Sequence, residues 1–190
     1  MSESQLSDGE RALLLKLARE AIDAAVNDRP LPPLDLGQLP PALCEPGASF
    51  VTLTEDGELR GCIGVLEAYQ PLAEDVRVEA VAAALEDFRF YPVRPKEVPY
   101  IKIEISRLTQ PQPLDYASPD ELVRRLRPGI DGVILRDGMR RATFLPQVWE
   151  KLPDPADFLS HLCAKMGVSE NAWRKKPLAV WTYQVEEFHE

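Results

Sequence analysis

A chain of 190 residues, 45% hydrophobic and 28% charged, has the length and balance of one sizeable globular domain, or of one with a small lobe. Its 22 basic against 31 acidic residues leave a net charge of −9, which opposes broad binding to nucleic-acid backbones, and no apolar run reaches the roughly 20 residues of a membrane span. The cysteines, Cys44, Cys62 and Cys163, are widely spaced and form no C-x-x-C pair, and the opening MSESQLSDGE lacks secretory character, so free thiols in a cytoplasmic protein are expected and structural zinc is not.

Ser7 and Glu10 have capping-box spacing, and Leu14, Leu17, Ala21, Ile22 and Ala25 then recur at helical intervals to about Val26, with Pro30 as the stop. Residues 28–47 carry prolines at 30, 32, 33, 40, 41 and 46, too many for regular structure, with enough leucine to lie as an extended, packed wrap. ASFVTLT and LRGCIGVL flank Asp56-Gly57, a hairpin signal. A two-residue loop there sets Val51 opposite Cys62 and Leu53 opposite Arg60. Pro71 opens an alanine-rich helix, and YIKIEISRL reads as a half-buried strand with Ile101, Ile103 and Ile105 inward. Ser118 with Glu121 caps a short helix ending at Pro128-Gly129, and DGVILRDGMRRATFL predicts a hairpin turning at Asp137-Gly138. A single turn from Pro146 and a helix from Asp154-Pro155, with Phe158, Leu159, Leu162 and Met166 on one stripe, lead to Gly167. LAVWTYQVEEF closes the series as one alternating strand. Two hairpins and two further strands between modest helices predict an α+β fold with mostly antiparallel pairing.

No Walker loop, dinucleotide fingerprint or G-x-S-x-G elbow occurs, and no cofactor is implied. Cys62 remains. Strict alternation puts Arg60 and Cys62 on one face, and a guanidinium beside a thiol lowers its pKa from about 8.5, making Cys62 with Arg60 the candidate catalytic pair. The other reading is a small buried residue used for packing. Gly61 and Gly64 weaken a strand, which fits a close backbone approach. His161 is a surface histidine or a distant helper of Cys62, and Cys163 fills the core. Arg89 pairs with Asp87 to tie down its loop or meets a ligand, and Phe88, Phe90 and Tyr91 read as a hydrophobic anchor.

LRGCIG, together with GASFVTL, AAALEDFRFYPV, IEISRLT, GIDGVIL, ATFLPQVWE and the FLSHLCAKMG helix followed by Trp173, resembles the AMMECR domain family over essentially the whole chain. Ser49 is an insertion-like departure from the family's G-A-F-V-T-L. The resemblance implies one α+β AMMECR domain over 1–190, a mostly antiparallel sheet flanked by helices, described in a larger and a smaller lobe. It implies no reaction. Prokaryotic members look like protein A of the AmmeMemoRadiSam system, with Memo-like and radical SAM proteins as expected partners. Leu59, Arg60, Gly61, Cys62, Ile63, Gly64 and Arg89 are the binding residues it suggests. Three functions stay open: an accessory binding module, a cysteine-dependent enzyme or redox or metal-handling protein, and a purely structural LRGCIG.

Overall fold

The computed structural model describes residues 5–190; MSES, the start of the stretch read above as non-secretory, lies outside them. In chain order the elements are α1 (Asp8–Val26), a 3₁₀ turn (Leu36–Gln38), α2 (Pro41–Cys44), β1 (Pro46–Glu55), β2 (Glu58–Gly64), β3 (Gln70–Pro71), α3 (Leu72–Leu85) and β4 (Ile101–Leu108). There follow β5 (Gln112–Pro113), α4 (Pro119–Arg125), β6 (Gly132–Asp137), β7 (Arg140–Phe144), a second 3₁₀ turn (Pro146–Glu150), α5 (Pro155–Lys165), α6 (Ala172–Lys175), β8 (Ala179–Tyr183) and β9 (Val185–His189). The fold is α+β. The strands form two sheets, and the chain divides into two compact units, one reaching Thr109 and taking back Glu186–Glu190, the other Gln110–Val185.

In the first unit, α1 begins with the expected capping box: Ser7 Oγ accepts the Glu10 N–H, and the Glu10 carboxylate accepts the Ser7 N–H at 2.8 Å. Its buried stripe is Leu14, Ala18, Ala21 and Ile22, rotated from the expected one, since Leu17 and Ala25 are only half-buried. The sheet runs β2-β1-β4-β9, with β3 on the first residues of β1. Val51, Leu53, Ile103 and Ile105 join Leu14, Ile22, Val76, Ala80 and Ala83 in one buried cluster, so α1 and α3 cover one face of the sheet. Each such Leu or Ile contributes roughly 1.5–3 kcal/mol by burial. Alternation puts Thr52, Cys62 and Glu104, all half-exposed, on the opposite face. The last strand is tied down by Glu186, whose carboxylate accepts from the Leu6 N–H and pairs with Arg11 at 2.8 Å and Arg107 at 3.2 Å.

Two expectations change here. Asp56 and Gly57, both at positive φ, do form the two-residue loop, and Glu55 faces Glu58 as a result. The register then shifts at Leu53/Thr54: Leu53 faces Gly61 and Thr52 faces Cys62, leaving Arg60 as the extra residue of a β-bulge. Val51 opposite Cys62, Leu53 opposite Arg60, and Arg60 alternating onto the face of Cys62 are therefore corrected. The 28–47 segment is also more regular than an extended wrap. Asp35 caps a 3₁₀ turn, and Pro40-Pro41, with φ already fixed, opens a helical turn that buries Leu43 fully.

The second unit has the sheet β5-β8-β6-β7 and a core of Leu122, Val133, Leu135, Phe158, Leu162, Cys163, Trp173 and Val180. Trp149 stacks on Phe158 at 3.7 Å and donates its indole N–H to the Asp131 carbonyl at 2.7 Å. Asp137 pairs with Arg140, so this hairpin turns at Gly138-Met139, one residue later than expected; Gly138 at φ 60° takes the first loop position. Helix α4 ends at Arg125, before Pro128-Gly129, and Glu121 bonds the Ala117 N–H at 2.8 Å while accepting no bond from Ser118. The terminal alternation is two strands, not one: β8 lies in this sheet and β9 in the other. Among the described residues no helix is long and apolar enough to cross a membrane.

Candidate functional site

The LRGCIG segment is strand β2, at the edge of its sheet. An edge strand presents unpaired N–H and C=O groups to its surroundings. At Cys62 both are taken by the loop that follows α3. The Asp87 carboxylate accepts the Cys62 N–H at 2.9 Å, and Arg89 Nη2 donates to the Cys62 carbonyl at 3.2 Å. Asp87 and Arg89 also hold each other, through Nε at 2.9 Å and Nη2 at 2.6 Å. This side-chain fork occupies the place of a neighbouring strand. It holds the Asp87 carboxyl far below the usual carboxylate range, mainly through Arg89, helped by the Cys62 N–H against the opposing effect of burial.

Arg60, the extra residue of the bulge, reaches the same loop further on. Its Nε donates to Glu97 at 3.1 Å and its Nη1 to the Tyr91 carbonyl at 2.8 Å. Glu97 accepts the Arg94 N–H at 2.7 Å as well. Burial works to raise the Glu97 pKa, but the Arg60 guanidinium and the Arg94 N–H outweigh it and the net shift is downward. Arg60 is thus hydrogen-bonded to a carboxylate and a carbonyl of this loop.

The sulfur has another neighbour. Thr52 and Cys62 are opposite each other, with the Cys62 peptide groups turned away from β1 as in a non-hydrogen-bonded pair, where side chains approach closely. The Thr52 hydroxyl donates to Cys62 Sγ at 3.4 Å. Glu104 is next to Thr52 in register on β4, giving a Cys62–Thr52–Glu104 row across three strands.

The glycines answer to the chain itself. A Cβ on Gly61 would lie 2.1 Å from the Ala83 carbonyl oxygen, so α3 closes on β2 only because that position has no side chain. A Cβ on Gly64 would lie 2.3 Å from the Phe50 ring. Leu59 is exposed at 41%, and Ile63 is half-buried. His161 is an exposed residue of α5 in the second unit, its Nδ1 2.9 Å from the Asp157 carbonyl oxygen. Cys163 is fully buried, and burial pushes its thiol pKa up. Among the described residues no three His, Cys, Asp or Glu side chains are grouped to hold a metal ion.

Between β2 and the loop lies a depression of about 880 Å³, lined by Glu55 and Arg60 and, from the loop, by residues 88–92 with Arg94, Lys96 and Glu97. Phe88 and Tyr91 stand in solvent at its margin, 93% and 86% exposed. They are not the hydrophobic anchor expected from sequence; the half-buried Phe90, beneath the Arg89 guanidinium at 5.5 Å, comes nearest to that role. Glu97, Arg94 and Lys96 escaped sequence reading because VRPKEVP has neither helical nor strand periodicity. Its proline spacing was the one signal that an irregular but ordered loop follows α3.

The AMMECR1 family model matches residues 12–188. A protein of Thermofilum pendens is 40% identical, over 98% of this chain and 92% of its own length. One from Methanothermobacter thermautotrophicus is 36% identical, over 100% and 99%. The crystal structure of the uncharacterized protein PH0010 from Pyrococcus horikoshii superposes with a TM-score of 0.78 at 32% identity, covering 97% of this chain and 93% of that one.

Proposed function

Because the chain belongs to the AMMECR1 family, we propose that it is an accessory binding component that works through the depression beside LRGCIG. Its partners in this reading are the Memo-like and radical SAM proteins of an AmmeMemoRadiSam-type system. The observation that carries it is where the polar groups of the motif go: Arg60 and the Cys62 peptide both hold the 87–97 loop. That loop in turn exposes Phe88, Tyr91, Arg94 and Lys96. A strand that spends its functional groups on fixing a loop of exposed aromatic and cationic residues is organised for recognition.

The test is co-purification. The tagged chain, co-expressed with a Memo-like and a radical SAM protein, retains at least one of them, and Phe88→Ala with Tyr91→Ala releases it while the circular dichroism spectrum is unchanged. Failure of the unaltered chain to retain either partner at micromolar concentration, under reducing and oxidising conditions alike, ends this reading.

A second reading rests on the sulfur. The Thr52 hydroxyl, donating to Sγ at 3.4 Å, orients the half-exposed Cys62 side chain as a nucleophile, redox centre or metal ligand. Native Cys62 then alkylates ahead of Cys44 and Cys163, and slows on Thr52→Val. A Cys62 that stays unmodified until the protein unfolds removes it.

A further inference from the structure

We infer that the depression beside β2 binds a nucleotide, a ligand carrying both a phosphate group and an aromatic base. This deepens the binding reading above and rests on it. The chain carries −9 overall, yet four cations and only two carboxylates line this one depression. Arg60 and Arg89 are held in place by Glu97 and Asp87, each with one guanidinium nitrogen, Arg60 Nη2 and Arg89 Nη1, outside those pairings. A guanidinium pinned on one edge presents the other in a fixed direction, which is how planar, multi-oxygen anions are gripped. Arg94 and Lys96 have no ion pair among the described residues, and although Arg94 helps to lower the Glu97 pKa, the four cations outnumber the carboxylates that line the depression.

Phosphate alone would not explain Phe88 and Tyr91. Each ring is left in water on the lip of the same cationic depression. Exposed aromatic faces interleaved with arginines suit a base, which stacks on a ring while its phosphate meets the cations. The acidic remainder of the surface repels a long phosphate backbone, so the ligand is a free nucleotide and not a nucleic-acid strand.

Calorimetric titration at low salt tests this, with ATP, tripolyphosphate, adenosine and a single-stranded oligothymidylate as separate probes. ATP binds saturably, about tenfold or more tighter than tripolyphosphate, in line with the stacking of one base. Phe88→Ala with Tyr91→Ala brings the two ligands level, while Arg94→Ala with Lys96→Ala weakens both by about tenfold. These four side chains are exposed, and an unchanged melting temperature verifies that the variants fold. The inference is overturned if ATP fails to saturate at millimolar concentration, if tripolyphosphate or adenosine matches ATP, or if the oligonucleotide binds more tightly than ATP. None of those results touches partner retention, so the nucleotide can fail while the binding-module reading stands.

Discussion

Glu79 on α3 is 4% exposed and sits one helical turn beyond the fully buried Asp75, so two carboxyl groups share one face of the helix inside the first unit. Asp75 accepts from Ser49 Oγ at 2.7 Å and from Gln70 at 3.3 Å; Glu79 has no ion pair among the described residues. Burial first, then the negative charges of Asp75 and Glu86, push the Glu79 pKa from 4.5 up to about 7. Burial raises Asp75 too, and the Tyr69 phenol is raised by its surroundings and by both carboxylates. Between pH 4.5 and about 7 the folded chain therefore holds a proton at Glu79 that the unfolded chain has lost. Stability from this group is fully present below 4.5 and lost as pH rises through about 7. At full strength the shift corresponds to about 3 kcal/mol, and discounting for solvent screening leaves about 1–2 kcal/mol. Glu79→Gln keeps the shape and removes the charge. Urea unfolding by circular dichroism should show the variant gaining about 1–2 kcal/mol on the unaltered chain between pH 5 and pH 8. The change in that difference with pH cancels the cost of burying an amide. A difference that is constant with pH, or that turns against the variant at pH 8, refutes the reasoning.

Gly61→Ala drives a methyl into the Ala83 carbonyl and should cost about 3 kcal/mol in urea unfolding, whereas Gly57→Ala, strained only by its φ of 82°, should cost about 1 kcal/mol; equal costs contradict the tight β2–α3 contact. Asp87→Ala removes the acceptor of the Cys62 N–H, so exchange of that amide should accelerate by about tenfold or more, with the Val51 amide unchanged as control. Cys163, buried and with its pKa raised, should resist alkylation in the native protein until urea unfolds the second unit, and prior modification there would mean the unit opens locally.

Elements specified by neighbouring residues were legible in sequence. The Ser7–Glu10 box, the Asp56-Gly57 loop and the Asp154 cap depend on groups within three or four positions, and each forms where its residues stand. Misreadings arise where a distant contact decides. The bulge at Arg60 exists where Gly61 meets Ala83 and Arg60 meets Glu97, 37 positions away, and alternation along one strand carries no trace of either. Trp181 to Val185 keeps its period across Gln184, yet strand pairing sends the two halves to different sheets. The same holds for the site. Arg89 pairs with Asp87, two positions away, as read from sequence, whereas the partners of Arg60 and Cys62 came from tertiary packing: Arg60 goes to Glu97, and Cys62 Sγ to Thr52.

Glu186 bonds the N–H of Leu6, 180 positions earlier, and meets Arg107, 79 positions earlier, with the whole second unit threaded between. Such long-range closure governs how the chain acquires its structure. On a ribosome, the 76 residues from Gln110 to Val185 must follow β4 before its neighbour emerges, a wait of about 4–15 s at ordinary synthesis rates. Through that interval β4 is an edge and Glu186 is not yet there to meet Arg11 and Arg107. The second unit, contiguous in sequence, is free to fold first, and the nascent first unit is the part of this chain most exposed to mispairing and most in need of chaperone cover.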